Sequence, residues 1–344
     1  MNRLARFVGF NQISHMLQDR NPPVYFPIDR GLYEIGPGFR PLGHDFGNGK
    51  MDSLVFQFDR EFPRFQQEKQ AARKENLTKY FGVSRLAPDV LAQTVDFFLE
   101  KLPKDHPEFF QLNEKDGVRT LHCKLTNEIL NFDSSGNLVT ASGGKATPPY
   151  SHAIDALVNQ IQEDFAIVST KENENWLSAM HVCGPSHWDP REKLGKDFLA
   201  VHAPIPGFDK VGRAHLQIVD AMVNKGPFVR FVWSFVTDTR LNHHPEAPVG
   251  EDAALWKGRS FSENADGSAP FHLRVERQLT FGLPRSKASL FFIRLSFIDG
   301  NILKANERWN SQLVSALQSM TPESRVYKGV SGCFDELVSW LQNA

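Results

Sequence analysis

The sequence predicts an α+β protein whose strands cluster in the middle of the chain and whose helices flank them. Two observations carry this. Three long segments, FVRFVWSFV (228–236), HLRVERQLTF (272–281) and SLFFIRLSFI (289–298), are rich in β-branched and aromatic residues and alternate in polarity. Helical spacing appears before and after these segments and not regularly between them, which excludes a chain of alternating β-α units.

Taken in order, residues 20–50 are rich in Pro and Gly and read as an irregular wrapping segment. MDSLVFQFD (51–59) reads as a short strand. Gln66 to Tyr80 and Pro88 to Lys101 read as helices, the second with Leu91, Val95, Phe98 and Leu99 on one face. RTLHCKL (119–125) and EILNFDSSGNLVT (128–140) are strand segments, the latter a hairpin turning at Ser-Ser-Gly-Asn. Ile154, Leu157, Val158 and Ile161 make a helix that ends at Gln162-Glu163-Asp164. FLAVHAPIP (198–206) reads as a short apolar strand stopped by two prolines, and residues 210–224 as a helix. The last 40 residues read as two amphipathic helices, the final one carrying Phe334, Leu337, Val338 and Leu341. No repeat or long linker divides the chain, so a single large domain is expected.

Composition narrows the function. With 39 Lys+Arg against 40 Asp+Glu, the chain has no charge excess to attract nucleic acid or an anionic membrane surface. Cys123, Cys183 and Cys333 are odd in number and far apart, so neither a disulfide framework nor a cysteine zinc site is expected. No apolar run approaches the roughly 20 residues of a membrane span, and the amino terminus, interrupted at Asn11 and Gln12, does not read as a secretion signal. A cytoplasmic globular protein is the expectation. Its 28 Phe against 5 Tyr fit a Phe-packed core, and equally a pocket for a flat apolar ligand.

Alternate side chains on a strand face opposite ways. Arg230, Val232 and Ser234 therefore share one face, opposite Val229, Phe231, Trp233 and Phe235. His272, Arg274, Glu276, Gln278 and Thr280 share another, opposite Leu273, Val275, Arg277 and Leu279. On the third strand Leu290, Phe292, Arg294 and Ser296 go together. If the strands are neighbours, Arg230, Arg274, Glu276, Gln278 and Arg294 form one polar surface, either a solvated face or the hydrogen-bonded wall of a pocket. Among the 12 histidines, His187 in GPSHWDP, His202 in its apolar segment and the adjacent pair His243-His244 are the informative ones. A neutral imidazole in apolar surroundings suits an axial haem ligand, and also a core histidine bonded to a backbone carbonyl. No His-x-x-x-His, Glu-x-x-His, G-x-S-x-G or P-loop pattern occurs.

Five segments in order carry a resemblance: IQEDFAIV (161–168), CGPSHW (183–188), EKLGKDFLAVHAPIPGF (192–208), VRFVW (229–233) and LRVERQLTFGLPRSKASLFFIRLSF (273–297). Together they resemble the haem-dependent oxidative N-demethylase family, the dimethylamine mono-oxygenase alpha subunits. The resemblance implies a PAS-like antiparallel sheet binding b-type haem. It also implies O2-dependent oxidation of a small secondary amine, with electrons from a separate flavin/iron–sulfur reductase. Residues 1–110 would wrap the sheet, 111–300 would form the PAS-like haem-binding core, and 301–344 the terminal helices. His202 matches the histidine before Pro-x-Pro and is the expected iron ligand, with His187 second. Arg230 and Glu276 are the expected catalytic pair, Glu276 accepting a hydrogen bond from a protonated amine. Arg274, Arg277, Gln278 and Trp233 are expected at the cofactor, where a basic side chain would hold a haem propionate.

Two departures from the family pattern stand out. Arg-x-Asn-Trp becomes Arg230-Phe231-Val232-Trp233, replacing a polar side chain on the Arg230 face by a valine. Arg-Arg-Leu-Pro-Arg-Ser becomes Phe281-Gly282-Leu283-Pro284-Arg285-Ser286. A haem-binding PAS-like sensor without turnover, and a haem-free relative with His202 in its core, remain open alongside the oxygenase.

Overall fold

The structure is a computed structural model describing residues 17–144, 146–253 and 271–343. The first sixteen residues, and with them most of the stretch weighed as a leader, lie outside the described residues. No helix among the described residues is long and apolar enough to cross a membrane.

Two antiparallel sheets organise the chain. The larger runs β1 (Arg40–Pro41), β9 (Phe228–Val236), β10 (His272–Leu283), β11 (Ala288–Asp299), β7 (Asp164–Lys171), β8 (Glu174–His181), β2 (Phe81–Val83). The smaller is a meander of β3 (Phe110–Lys115), β4 (Val118–Cys123), β5 (Glu128–Phe132) and β6 (Leu138–Ser142). Around them lie α1 (Phe62–Asn76), α2 (Pro88–Asp105) and α3 (Ala153–Val158). After β8 come α4 (Phe198–His202), α5 (Asp209–Gly212) and α6 (His215–Asn224). The chain finishes in α7 (Gly300–Ala305), α8 (Glu307–Gln318), α9 (Pro322–Tyr327) and α10 (Phe334–Gln342). This is the α+β class expected, compatible with a PAS-like sheet.

One face of the large sheet is core. Leu279, Leu290, Phe292, Phe165 and Ile167 pack against Val95, Phe98 and Leu102 of α2 and against the small sheet. Farther along that face, Trp233, Phe235, Leu273 and Val275 meet Leu313 and Leu317 of α8 and Leu337 and Leu341 of α10. Eight of the 28 phenylalanines, Phe56, Phe58, Phe98, Phe109, Phe110, Phe132, Phe165 and Phe292, are fully buried here.

Several expectations need correction. Residues 51–59 form no strand; a 3-10 turn (Gly49–Ser53) leads into an extended run whose Phe56 and Phe58 enter the core. That run pairs with side chains instead of a strand. Gln57 N donates to Glu163 Oε1, Asp59 N donates to Gln162 Oε1 (both 2.9 Å), and Arg277 Nη2 donates to the Leu54 carbonyl (2.8 Å). The Gln162-Glu163-Asp164 motif therefore does not end a helix: α3 stops at Val158, and Asp164 opens β7 while its carboxylate accepts the Cys183 and Gly184 amides (2.9 and 2.8 Å). The FLAVH segment is helix, not strand. Asp197 caps it by accepting the Ala200 amide (2.7 Å), and a five-residue apolar run carries too little periodicity to separate the two forms. The last 40 residues hold three helices in place of two, α8, α9 and α10. At Gly282 a Cβ would fall on the Val223 carbonyl oxygen, so the family's arginine at this position is exchanged for a close approach of α6 to β10.

A buried polar layer runs under α1. Lys69 Nζ donates to the carbonyls of Val158, Ile161 and Glu163 (2.7, 2.8 and 2.7 Å), and Arg73 pairs with Asp155, which also meets His181 Nε2 (3.1 Å). On the same helix, burial pushes the Glu68 carboxyl up to about 7 from 4.5. The folded chain thus keeps a proton that the unfolded chain loses, and stability falls as pH rises through that window and levels off above it. Glu68→Gln is expected to raise the melting temperature at pH 8 and to change it little at pH 5. An equal shift at both pH values in thermal unfolding would contradict this.

Candidate functional site

Register decides what the other face of the large sheet carries. Gln278 lies opposite Arg230 on β9 and opposite Ile293 on β11, and Glu276 lies opposite Val232 and Leu295. Arg230, Val232, Ser234, Glu276, Gln278 and Thr280 consequently form one surface. It is not a flat outer face: it floors a cavity of about 770 Å³, lined also by residues of α4, α6 and the Ser186–Asp189 loop and by Tyr327. That volume is within the roughly 300–1,000 Å³ of small-molecule and cofactor sites.

His202, His187, Arg230, Glu276 and Gln278 all line the cavity. Arg274 is fully buried directly behind it, where Nη1 donates to Glu276 Oε1 (2.5 Å) and Nη2 to the Gly184 carbonyl (2.6 Å). Gln278 Nε2 donates to the other Glu276 oxygen at 2.9 Å. One carboxylate is thus held rigidly at the wall, its charge matched from behind. Arg277 and Trp233, expected at the cofactor, and Arg294, expected in the same polar surface, lie on the opposite face. Arg277 pairs in register with Arg294, whose Nη2 donates to Asp59 Oδ2 (2.5 Å), and Trp233 packs edge-on against Tyr33. Period two sorts side chains into faces within a strand; only the register between strands says which faces join.

The His202 ring lies between Phe198 and Phe208, with centroids 4.3 and 5.0 Å away. Its Nδ1 sits 2.7 Å from the Phe198 carbonyl, which can only accept, so Nδ1 carries the hydrogen and Nε2 the free electron pair. Burial drives its pKa down to about 4, helped by the charges of Arg230 and Lys193 and opposed by the Phe198 bond. The imidazole is neutral at physiological pH, and Nε2 has no hydrogen-bond partner among the described residues. Such a donor fits a haem iron. His187 sits at the rim with φ of +60°, held by its amide on the His243 carbonyl (2.9 Å).

Arg230 is half-buried and makes no hydrogen bond or ion pair with any described residue. Burial lowers its pKa, and the nearby Glu276 carboxylate opposes that.

A protein-family model described as haem-dependent oxidative N-demethylase, alpha subunit-like, matches residues 48–338. The chain belongs to that family. The match spans β2 to β11, so the cavity floor of this N-demethylase-like chain lies within the matched residues. The alpha-subunit description points to an assembly with another component.

Some lining residues escaped the sequence reading. Lys193 lies in the EKLGKDF stretch and was not singled out there; its Nζ donates to the Val201 carbonyl at 2.7 Å, bracing α4. Tyr327 and Lys328 reach the cavity from the end of α9, and nothing in the local sequence announces it.

Proposed function

We propose that this chain is the haem-binding component of an oxygenase that oxidatively demethylates a small amine, with O2 as oxidant and electrons from a flavin/iron–sulfur reductase. The observation that carries the reading is His202: a neutral imidazole with one nitrogen committed to a carbonyl and the other free, in a cavity large enough for a cofactor. Bound b-type haem would supply O2 activation and oxidation of the carbon next to nitrogen. His202 would hold the iron. Phe198 and Phe208 fix the ring plane, and the Phe198 carbonyl fixes the tautomer. Glu276, kept in place by Arg274 and Gln278, accepts a hydrogen bond from the substrate ammonium. The apolar roof of Val201, Ile205, Ile218 and Met222 limits water at the reacting end.

The test is an absorption spectrum of protein expressed with haem precursor, with His202→Ala and His187→Ala beside wild type. A Soret band in wild type and His187→Ala, lost in His202→Ala at unchanged melting temperature, is expected. A folded wild type without a Soret band overturns the haem reading. A band lost only in His187→Ala moves the iron ligand to the rim.

A further inference from the structure

The floor of the cavity presents two opposite charges side by side that do not pair with each other. Arg230 and Glu276 are diagonal neighbours on β9 and β10, since Arg230 is opposite Gln278 and Glu276 is opposite Val232. Diagonal positions on adjacent strands are roughly 7–8 Å apart. Glu276 is committed to Arg274 and Gln278. Arg230 has no hydrogen bond or ion pair among the described residues, although the two groups feel each other's charge. An unpaired guanidinium in a mostly apolar cavity is costly, and the cost is relieved by an anion that brings two acceptor oxygens to its fork.

A simple dialkylamine supplies no such anion. It would add a second cation beside Arg230, on a wall that also carries Lys193, Lys196 and Lys328 with Asp189 and Glu192. Resting on the amine-oxidising reading above, we infer that the substrate is an N-methyl amino acid, its carboxylate on Arg230 and its ammonium on Glu276. An α-amino acid carries both charges on one carbon, so one small ligand can meet side chains that rise from two diagonal positions. Val232 then has a use. It faces the cavity directly opposite Glu276 and offers an isopropyl group to the ligand's methyl and methylene carbons. The polar family residue at this position would hydrogen-bond there instead.

The same guanidinium could serve a haem propionate, and the experiment separates the two sources of carboxylate. Binding of N-methylglycine, dimethylamine and acetate is measured by calorimetry on protein purified with and without haem feeding, for wild type, Arg230→Leu and Arg230→Lys. N-methylglycine is expected to bind wild type at least about tenfold more tightly than dimethylamine or acetate. Arg230→Leu should abolish that advantage while keeping its Soret band and melting temperature, and Arg230→Lys should restore part of it. Equal or tighter binding of dimethylamine overturns the inference. So does loss of haem from folded Arg230→Leu, which would give the guanidinium to a propionate. A colourless wild type that still binds N-methylglycine through Arg230 overturns the haem reading and leaves this inference standing.

Discussion

Arg274→Met is expected to cost about 3–5 kcal/mol of stability, the range for removing one partner of a buried ion pair. Arg274 is fully buried and lets Glu276 carry a charge at the cavity wall. With methionine there, the carboxylate keeps only the Gln278 amide. The Gly184 carbonyl also loses a donor, and with it the loop leading to His187 loses an anchor. Urea unfolding reads the stability, and calorimetric binding of N-methylglycine reads the site, because Glu276 loses the donor that orients it. The double variant Arg274→Met/Glu276→Leu should recover stability but not binding. A single variant as stable as wild type would show that the pair is dispensable.

Asp59→Ala is expected to cost a similar amount, about 3–5 kcal/mol, without touching the cavity. Asp59 receives Arg294 Nη2 at 2.5 Å and Gln162 Nε2 at 3.2 Å, and both charged groups are buried. These contacts clamp the extended run that carries Phe56 and Phe58 into the core. The expected signature is a lower urea midpoint with the haem spectrum of the remaining folded protein unchanged. Adding Arg294→Met to Asp59→Ala should return part of the loss, since removing both charges is milder than stranding one. A double variant no better than the single would contradict this account.

The strand faces were legible because the physics behind them is local. Two-residue alternation put Arg230 with Val232, and Arg274 with Glu276 and Gln278, and the structure keeps those groupings. The α2 stripe of Val95, Phe98 and Leu99 was legible for the same reason. His202 stood out by its apolar setting, although the segment around it is helix and not strand. The strands β7 and β8 were not legible. Asp164–Lys171 and Glu174–His181 carry runs buried on both sides, and their alternation is lost.

What the sequence determined by itself is the α+β class, the two faces of β9 and β10, and the residues from which a site could be built. What only the tertiary structure decided is which faces join. Arg294 sits one register step from the polar surface it was expected to enter, and pairs with Asp59 from a segment 235 residues away. Tyr327 enters the cavity from a terminal helix, and Arg230 is left without a partner among the described residues. Periodicity is a property of neighbouring residues, and the sequence displays it. Register and the meeting of distant segments depend on how whole surfaces bury together, and no window of the chain contains that.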